Sequence, residues 1–141
     1  MRENKFKHFL DSNVVLYLLS ADAGKADRVE RLLVAGPIIS VQVLNEVTQV
    51  CRRKLQMGWD EIAQLLELVR GFCKVVPITE TIHDRARDIA ERYRLSFYDA
   101  CIAAAAVTSG CQYLFSEDMQ DGQVLDDGLN IKNPFTDTQM G

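Results

Sequence analysis

Histidine is scarce in this chain: only His8 and His83 are present, in separate segments. That leaves no zinc-ligand spacing and no Ser-His-Asp signature. The four cysteines, Cys51, Cys73, Cys101 and Cys111, form no C-x-x-C pair, and the first three fall inside apparent helices. Two disulfides are arithmetically possible, but without a secretion signal reduced packing residues are the expectation. Long hydrophobic runs are missing too. A stretch such as 14–19 is far too short to span a bilayer, and the opening MRENKFKHFLD meets an acid before any signal-like region develops. A cytoplasmic chain without a membrane partner is therefore expected. Positive charge is not in excess: the net charge is −4, whereas nucleic-acid binders are more often basic. Basic residues do gather locally, as Arg52, Arg53 and Lys54 and as Arg85, Arg87, Arg92 and Arg94; most such runs are solvated faces.

What is present fits one domain over residues 1–141, long enough to bury roughly two-thirds of its unfolded surface. With 48% hydrophobic and 26% charged residues, the composition is that of an ordinary globular protein. There is no repeat, linker or low-complexity segment. Short apolar runs alternate with longer helical ones. The expected strands are 5–10, 37–40, 74–78 with Pro77 marking an edge, 112–116, and a weak one in 129–133 closed by Pro134. The expected helices cover VVLYLLS, 25–36 stopped by Gly36 and Pro37, a segment capped by Ser40, 59–73, 80–93 and a last one from Phe97. From Thr136 onward a frayed tail is expected. This alternation implies an α/β domain, a central parallel sheet of four to five strands with helices on both faces.

The helix from Phe97 poses a question. Asp99 lies on the apolar face formed by Ile102, Ala103 and Ala106, three, four and seven residues on, and burying a charge without a partner costs several kcal/mol. Ser96 and Asp99 could form a capping box, with no function beyond that. The topology supplies another reading. In such a sheet the helix N-termini lie at the carboxyl edge of the strands, where ligands bind. Asp11 follows the first strand, Glu46 lies in the second turn of the helix after the second strand, Asp99 in the first turn of its helix, and Asp118 just after the strand ending at Ser116, with Asp121 three further on. Singly, Asp11 could be a helix cap, Glu46 a solvated flank of the core, and Asp118 and Asp121 ordinary turn residues. Jointly, four carboxylates at one edge repel one another unless they hold protons or cations. Oxygen ligands without nitrogen select a hard cation, Mg²⁺ or Mn²⁺.

The segments FLDSNVVLYLL, SVQVLNEV, SFYDACIAAAA and LFSEDMQDGQ followed by LNIKNPF, in this order, resemble the PIN-domain family and, within it, bacterial toxins of the VapC type. The resemblance runs over nearly the whole chain. It implies a parallel α/β sheet, metal-dependent endoribonuclease activity, a homodimer, and inhibition by a small antitoxin. By that match Asp11, Glu46, Asp99 and Asp118 are the acidic site positions, with Asn13 and Asp121 beside them in support. On this expectation Mg²⁺ or Mn²⁺ held by the acids acts on an RNA phosphodiester, with the Arg clusters holding flanking backbone. Two rivals are a non-catalytic interaction module on the same fold and a receiver-like phosphoryl-accepting domain. The receiver-like domain needs a Lys at the end of a late strand, where this chain offers Glu117 and Asp118.

Overall fold

In the computed structural model, which describes residues 7–136, five short strands form one sheet. The elements in chain order are β1 (His8–Leu10), α1 (Ser12–Leu16), a 3₁₀ turn (Tyr17–Leu19), α2 (Ala23–Val34), β2 (Ile38–Ser40), α3 (Val41–Arg53) and α4 (Trp59–Phe72). There follow β3 (Lys74–Val76), α5 (Glu80–Tyr93), α6 (Phe97–Thr108), β4 (Tyr113–Phe115), a 3₁₀ turn (Asp126–Gly128) and β5 (Asn130–Lys132). The strand order is β3-β2-β1-β4-β5, with every pairing parallel. The expected parallel α/β sheet is therefore present, with five strands. β1 and β2 are buried at every residue, as strands covered on both faces must be. Right-handed crossovers put the helices after β1 and β2 on one face and α5 and α6 on the other.

Order reverses between β1 and β4: the chain steps outward from β1 to β2 and β3, then returns to add β4 on the other side. Beyond their carboxyl ends a crevice opens, the usual ligand position in open α/β sheets. The chain leaving β1 stays tied to β4 there, since the Asp11 N–H donates to the Phe115 carbonyl at 2.9 Å. α6 forms the centre of the core. Residues Ala100 through Val107 are all buried, and four consecutive alanines give a slim helix that α5 packs along.

Boundaries differ from expectation where local chemistry intervenes. The first helix tightens into a 3₁₀ turn after Leu16, a common way to end a short helix. The second begins at Ala23 because Asp22 caps it, its carboxylate accepting from the Gly24 and Lys25 amides. Pro77 lies just beyond edge strand β3, where its missing N–H costs no ladder bond. The capping box at α6 is half made: Ser96 Oγ accepts the Asp99 N–H at 3.3 Å, without the return bond from the Ser96 amide to the Asp99 carboxylate among the described residues. The cysteines are free thiols; burial pushes Cys73 up to about 12 and Cys111 up to about 11, which suits packing rather than reactivity. Among the described residues no helix is long and apolar enough to cross a membrane. Lys5 and Phe6 of the expected first strand, and the expected tail beyond Thr136, lie outside the described residues.

Candidate active site

Asp11 is the most constrained acid. It is 2% exposed and sits where β1 passes into α1. Its Oδ1 accepts the Ser12 N–H at 2.7 Å, and its Oδ2 accepts the Ser116 hydroxyl at 2.8 Å and the Asn13 amide at 3.4 Å. The capping role is thus real but uses one oxygen; the other is held by Ser116, the residue after the neighbouring strand β4. Burial pushes the carboxyl up to about 6, against the pull of the Ser116 and Ser12 hydrogen bonds, and the charges of Asp99 and Glu46 add to the rise.

Glu46 approaches from α3, where Val43 and Val47 anchor the inner face. The Ser12 hydroxyl donates to its Oε1 at 2.7 Å and the Gln42 amide to its Oε2 at 2.9 Å. Ser12 therefore links Asp11 to Glu46. Asp99, half-buried in the first turn of α6, has its carboxyl raised mainly by burial, then by the charges of Asp118 and Glu46. Asp118 is exposed beyond β4; its N–H and that of Met119 both donate to Ser116 Oγ at 3.2 Å.

The structure brings Asp11, Glu46, Asp99 and Asp118 into one electrostatic neighbourhood, in which Asp99 and Glu46 act on Asp11, and Asp118 and Glu46 act on Asp99. It does not close them into a cage: among the described residues no three acidic, His or Cys side chains converge as metal ligands. The donor chemistry fits a hard divalent ion, with all-oxygen ligands and carboxyls made costly by burial and mutual repulsion. Asn13 joins the set through Asp11 and through its Oδ1, which accepts the Glu117 N–H at 3.1 Å. Asp121 does not: it is exposed and accepts the Asn133 N–H at 2.8 Å, an ordinary loop closure.

Ser12, Gln42 and Ser116 escaped the reading of residue types alone. Gln42 stands four residues before Glu46, a helical neighbour, so its contact could have been found; the Ser116 contact joins residues 105 apart and could not. Arg52, Arg53 and Lys54 end α3, six to eight residues beyond Glu46 and so about 9–12 Å from it along the helix. Around α5, Arg85 pairs with Asp126 and Asp127, Arg87 with Asp84, and Arg92 with Asp88 and Asp126. Those guanidinium groups serve the fold.

Among curated proteins the chain finds no match. Solved structures share its fold. A toxin–antitoxin complex from Klebsiella pneumoniae superposes with a TM-score of 0.68 at 19% identity, over 91% of this chain and 98% of that one. VapC20 of Mycobacterium tuberculosis, described as a Sarcin-Ricin loop cleaving toxin, gives 0.63 at 21% identity, over 79% and 91%. VapBC2 from Rickettsia felis, bound to a DNA fragment from its promoter, gives 0.66 at 17%, over 91% and 98%. The family pattern for the PIN domain matches residues 8–120, a span that holds all four acids. With that pattern over most of its length and its acids gathered at the switch point of the sheet, this chain belongs to the PIN-domain family.

Proposed function

We propose that the protein is a divalent-metal-dependent endoribonuclease, the toxin of a toxin–antitoxin pair. The observation that carries this reading is a buried Asp11, costly to ionise, on which the charges of Asp99 and Glu46 bear at the switch point, with Asp118 acting in turn on Asp99. Asp11, Asp99 and Asp118 would hold Mg²⁺ or Mn²⁺, which supplies charge neutralisation at the phosphate and a more acidic water for in-line attack. The chain's own residues prepare that chemistry. Ser12 and Ser116 aim the two oxygens of Asp11, and Ser12 and Gln42 hold Glu46 so that it orients the attacking water. Burial keeps bulk water from Asp11. An unpaired RNA loop suits such a crevice, because its phosphates can be splayed into it. Structural neighbours that are toxin–antitoxin complexes support a small antitoxin as partner, and the family resemblance supports a homodimer.

The test is incubation of the purified protein with labelled total RNA in Mg²⁺, Mn²⁺ or EDTA. Discrete fragments that require metal are expected. An absence of cleavage under every condition would instead support a non-catalytic interaction module on the same fold.

A further inference from the structure

Glu117 lies between Ser116, which holds Asp11, and Asp118, yet its side chain turns away from the acids. Its carboxylate accepts the Tyr17 hydroxyl at 2.6 Å through Oε1 and pairs with the Lys25 ammonium at 3.4 Å through Oε2. Lys25 Nζ stands 3.5 Å from the Tyr17 oxygen, 4.6 Å above the Tyr17 ring and 5.3 Å from the Phe135 ring. The two rings meet edge to face at 4.7 Å. On the backbone side, the Glu117 N–H is held by Asn13. Three parts of the fold thus meet at Glu117, α1 through Asn13, the 3₁₀ turn after it through Tyr17 and α2 through Lys25, while Phe135 after β5 packs on Tyr17 and Lys25.

Asp118, by contrast, is exposed, and among the described residues its carboxylate has no hydrogen-bond partner; only its backbone is tied, to Ser116. A ligand on such a turn is positioned by what fixes its neighbours. We propose that Tyr17 and Lys25 clamp Glu117, and that this clamp positions Asp118 for the site. Tyr17, Lys25 and Glu117 are positioning residues that never touch the reacting atoms. The inference rests on the reading of Asp118 as a metal ligand. An ion pair this exposed adds little to stability by itself, whereas a hydroxyl and an ammonium on one carboxylate, the ammonium itself seated against two rings, restrict that side chain's rotation.

The test compares wild type with Tyr17→Phe, which keeps the ring and deletes one hydroxyl, and with Lys25→Met, Glu117→Gln, Glu117→Ala and Asp118→Asn. In EDTA, Tyr17→Phe and Glu117→Ala should speed amide exchange at Asp118 and Met119 by about tenfold while the amides of α6 keep their protection. The Mn²⁺ concentration giving half the thermal stabilisation should rise, and kcat on a single-stranded RNA oligonucleotide should fall, each by about tenfold or more with KM unchanged, the range seen for outer-shell partners. Lys25→Met should shift in the same direction by less, and Glu117→Gln, which keeps an acceptor for Tyr17, should restore most of the effect. Unchanged exchange and an unchanged Mn²⁺ midpoint in both Tyr17→Phe and Glu117→Ala would overturn the clamp, and do so alone if Asp118→Asn loses the metal response that wild type shows. A wild type that neither responds to Mn²⁺ nor cuts RNA overturns the metal reading and the clamp's role together.

Discussion

Replacing Asp11 with Asn should stabilise the protein when no metal is bound. Asp11 is 2% exposed and its carboxyl is raised from 3.8 to about 6. That rise of about two pH units corresponds to about 3 kcal/mol of cost for holding the ionised form at neutral pH. The sign follows from proton binding. Between pH 4 and 6 the folded state binds more protons at Asp11 than the unfolded state, so this group's contribution falls as pH rises through that window and is flat above it. Asn keeps the shape and an oxygen for the Ser12 N–H, but it presents an amide to the Ser116 hydroxyl, which must reorient; we set that loss at about 1 kcal/mol. A net gain of about 2 kcal/mol, or about 6 °C in Tm for a chain of this size, is expected at pH 7.5 in EDTA, falling to zero at about pH 4.5 and turning into a small loss below it. Mn²⁺ at a hundredfold excess over its Kd should raise wild-type stability by about 2.7 kcal/mol, while the variant responds weakly. Thermal melts of both proteins at pH 4.5 and 7.5, with EDTA or Mn²⁺, decide the matter. If Asp11→Asn melts below wild type by the same margin at both pH values and responds to Mn²⁺ as wild type does, Asp11 is a helix cap and the shared site is wrong.

Asp99→Asn should abolish RNA cleavage and growth toxicity with the fold intact, because Ser96 still caps α6; full cleavage by the purified variant would reduce Asp99 to a capping residue. Ser116→Ala removes the donor to Asp11 Oδ2 and the acceptor for two amides, so a loss of about 1–3 kcal/mol is expected in denaturant melts. The same hydroxyl lowers the Asp11 carboxyl, so without it the acid limb of the cleavage profile should move to higher pH; a profile that stays put or moves to lower pH refutes the assignment. Co-expression of the small reading frame beside the gene should restore growth and yield a co-purifying complex, and failure of any neighbouring small protein to bind would leave a solitary nuclease. Neutralising Arg52, Arg53 and Lys54 together should leave cleavage of a short oligonucleotide within about twofold, since they lie about 9–12 Å along α3 beyond Glu46; a tenfold loss would place the RNA path along that helix.

Alternation of apolar runs sufficed for the α/β class, because a parallel strand needs a crossover and the only long amphipathic segments available are helices. Asp99 stood out for a similar reason: an acid at helical spacing from Ile102, Ala103 and Ala106 is legible wherever the helix ends up. The carboxyl-edge rule then put Asp11 and Asp118 together, since residues just after parallel strands share an edge by construction, and Glu46 near them in the early turns of the helix after β2. Everything that depends on which strands are neighbours was beyond the sequence. The order β3-β2-β1-β4-β5 alone places Ser116 against Asp11 and Glu117 against Tyr17, contacts 105 and 100 residues apart. Helix direction, not composition, carried the Arg52 cluster away from the acids, and ion pairs with Asp126 and Asp127 drew Arg85 and Arg92 into the fold. Local propensity and periodicity act within a few residues and are written in the chain; burial, long-range hydrogen bonds and the repulsion among the four carboxylates exist only once the strands have chosen their order.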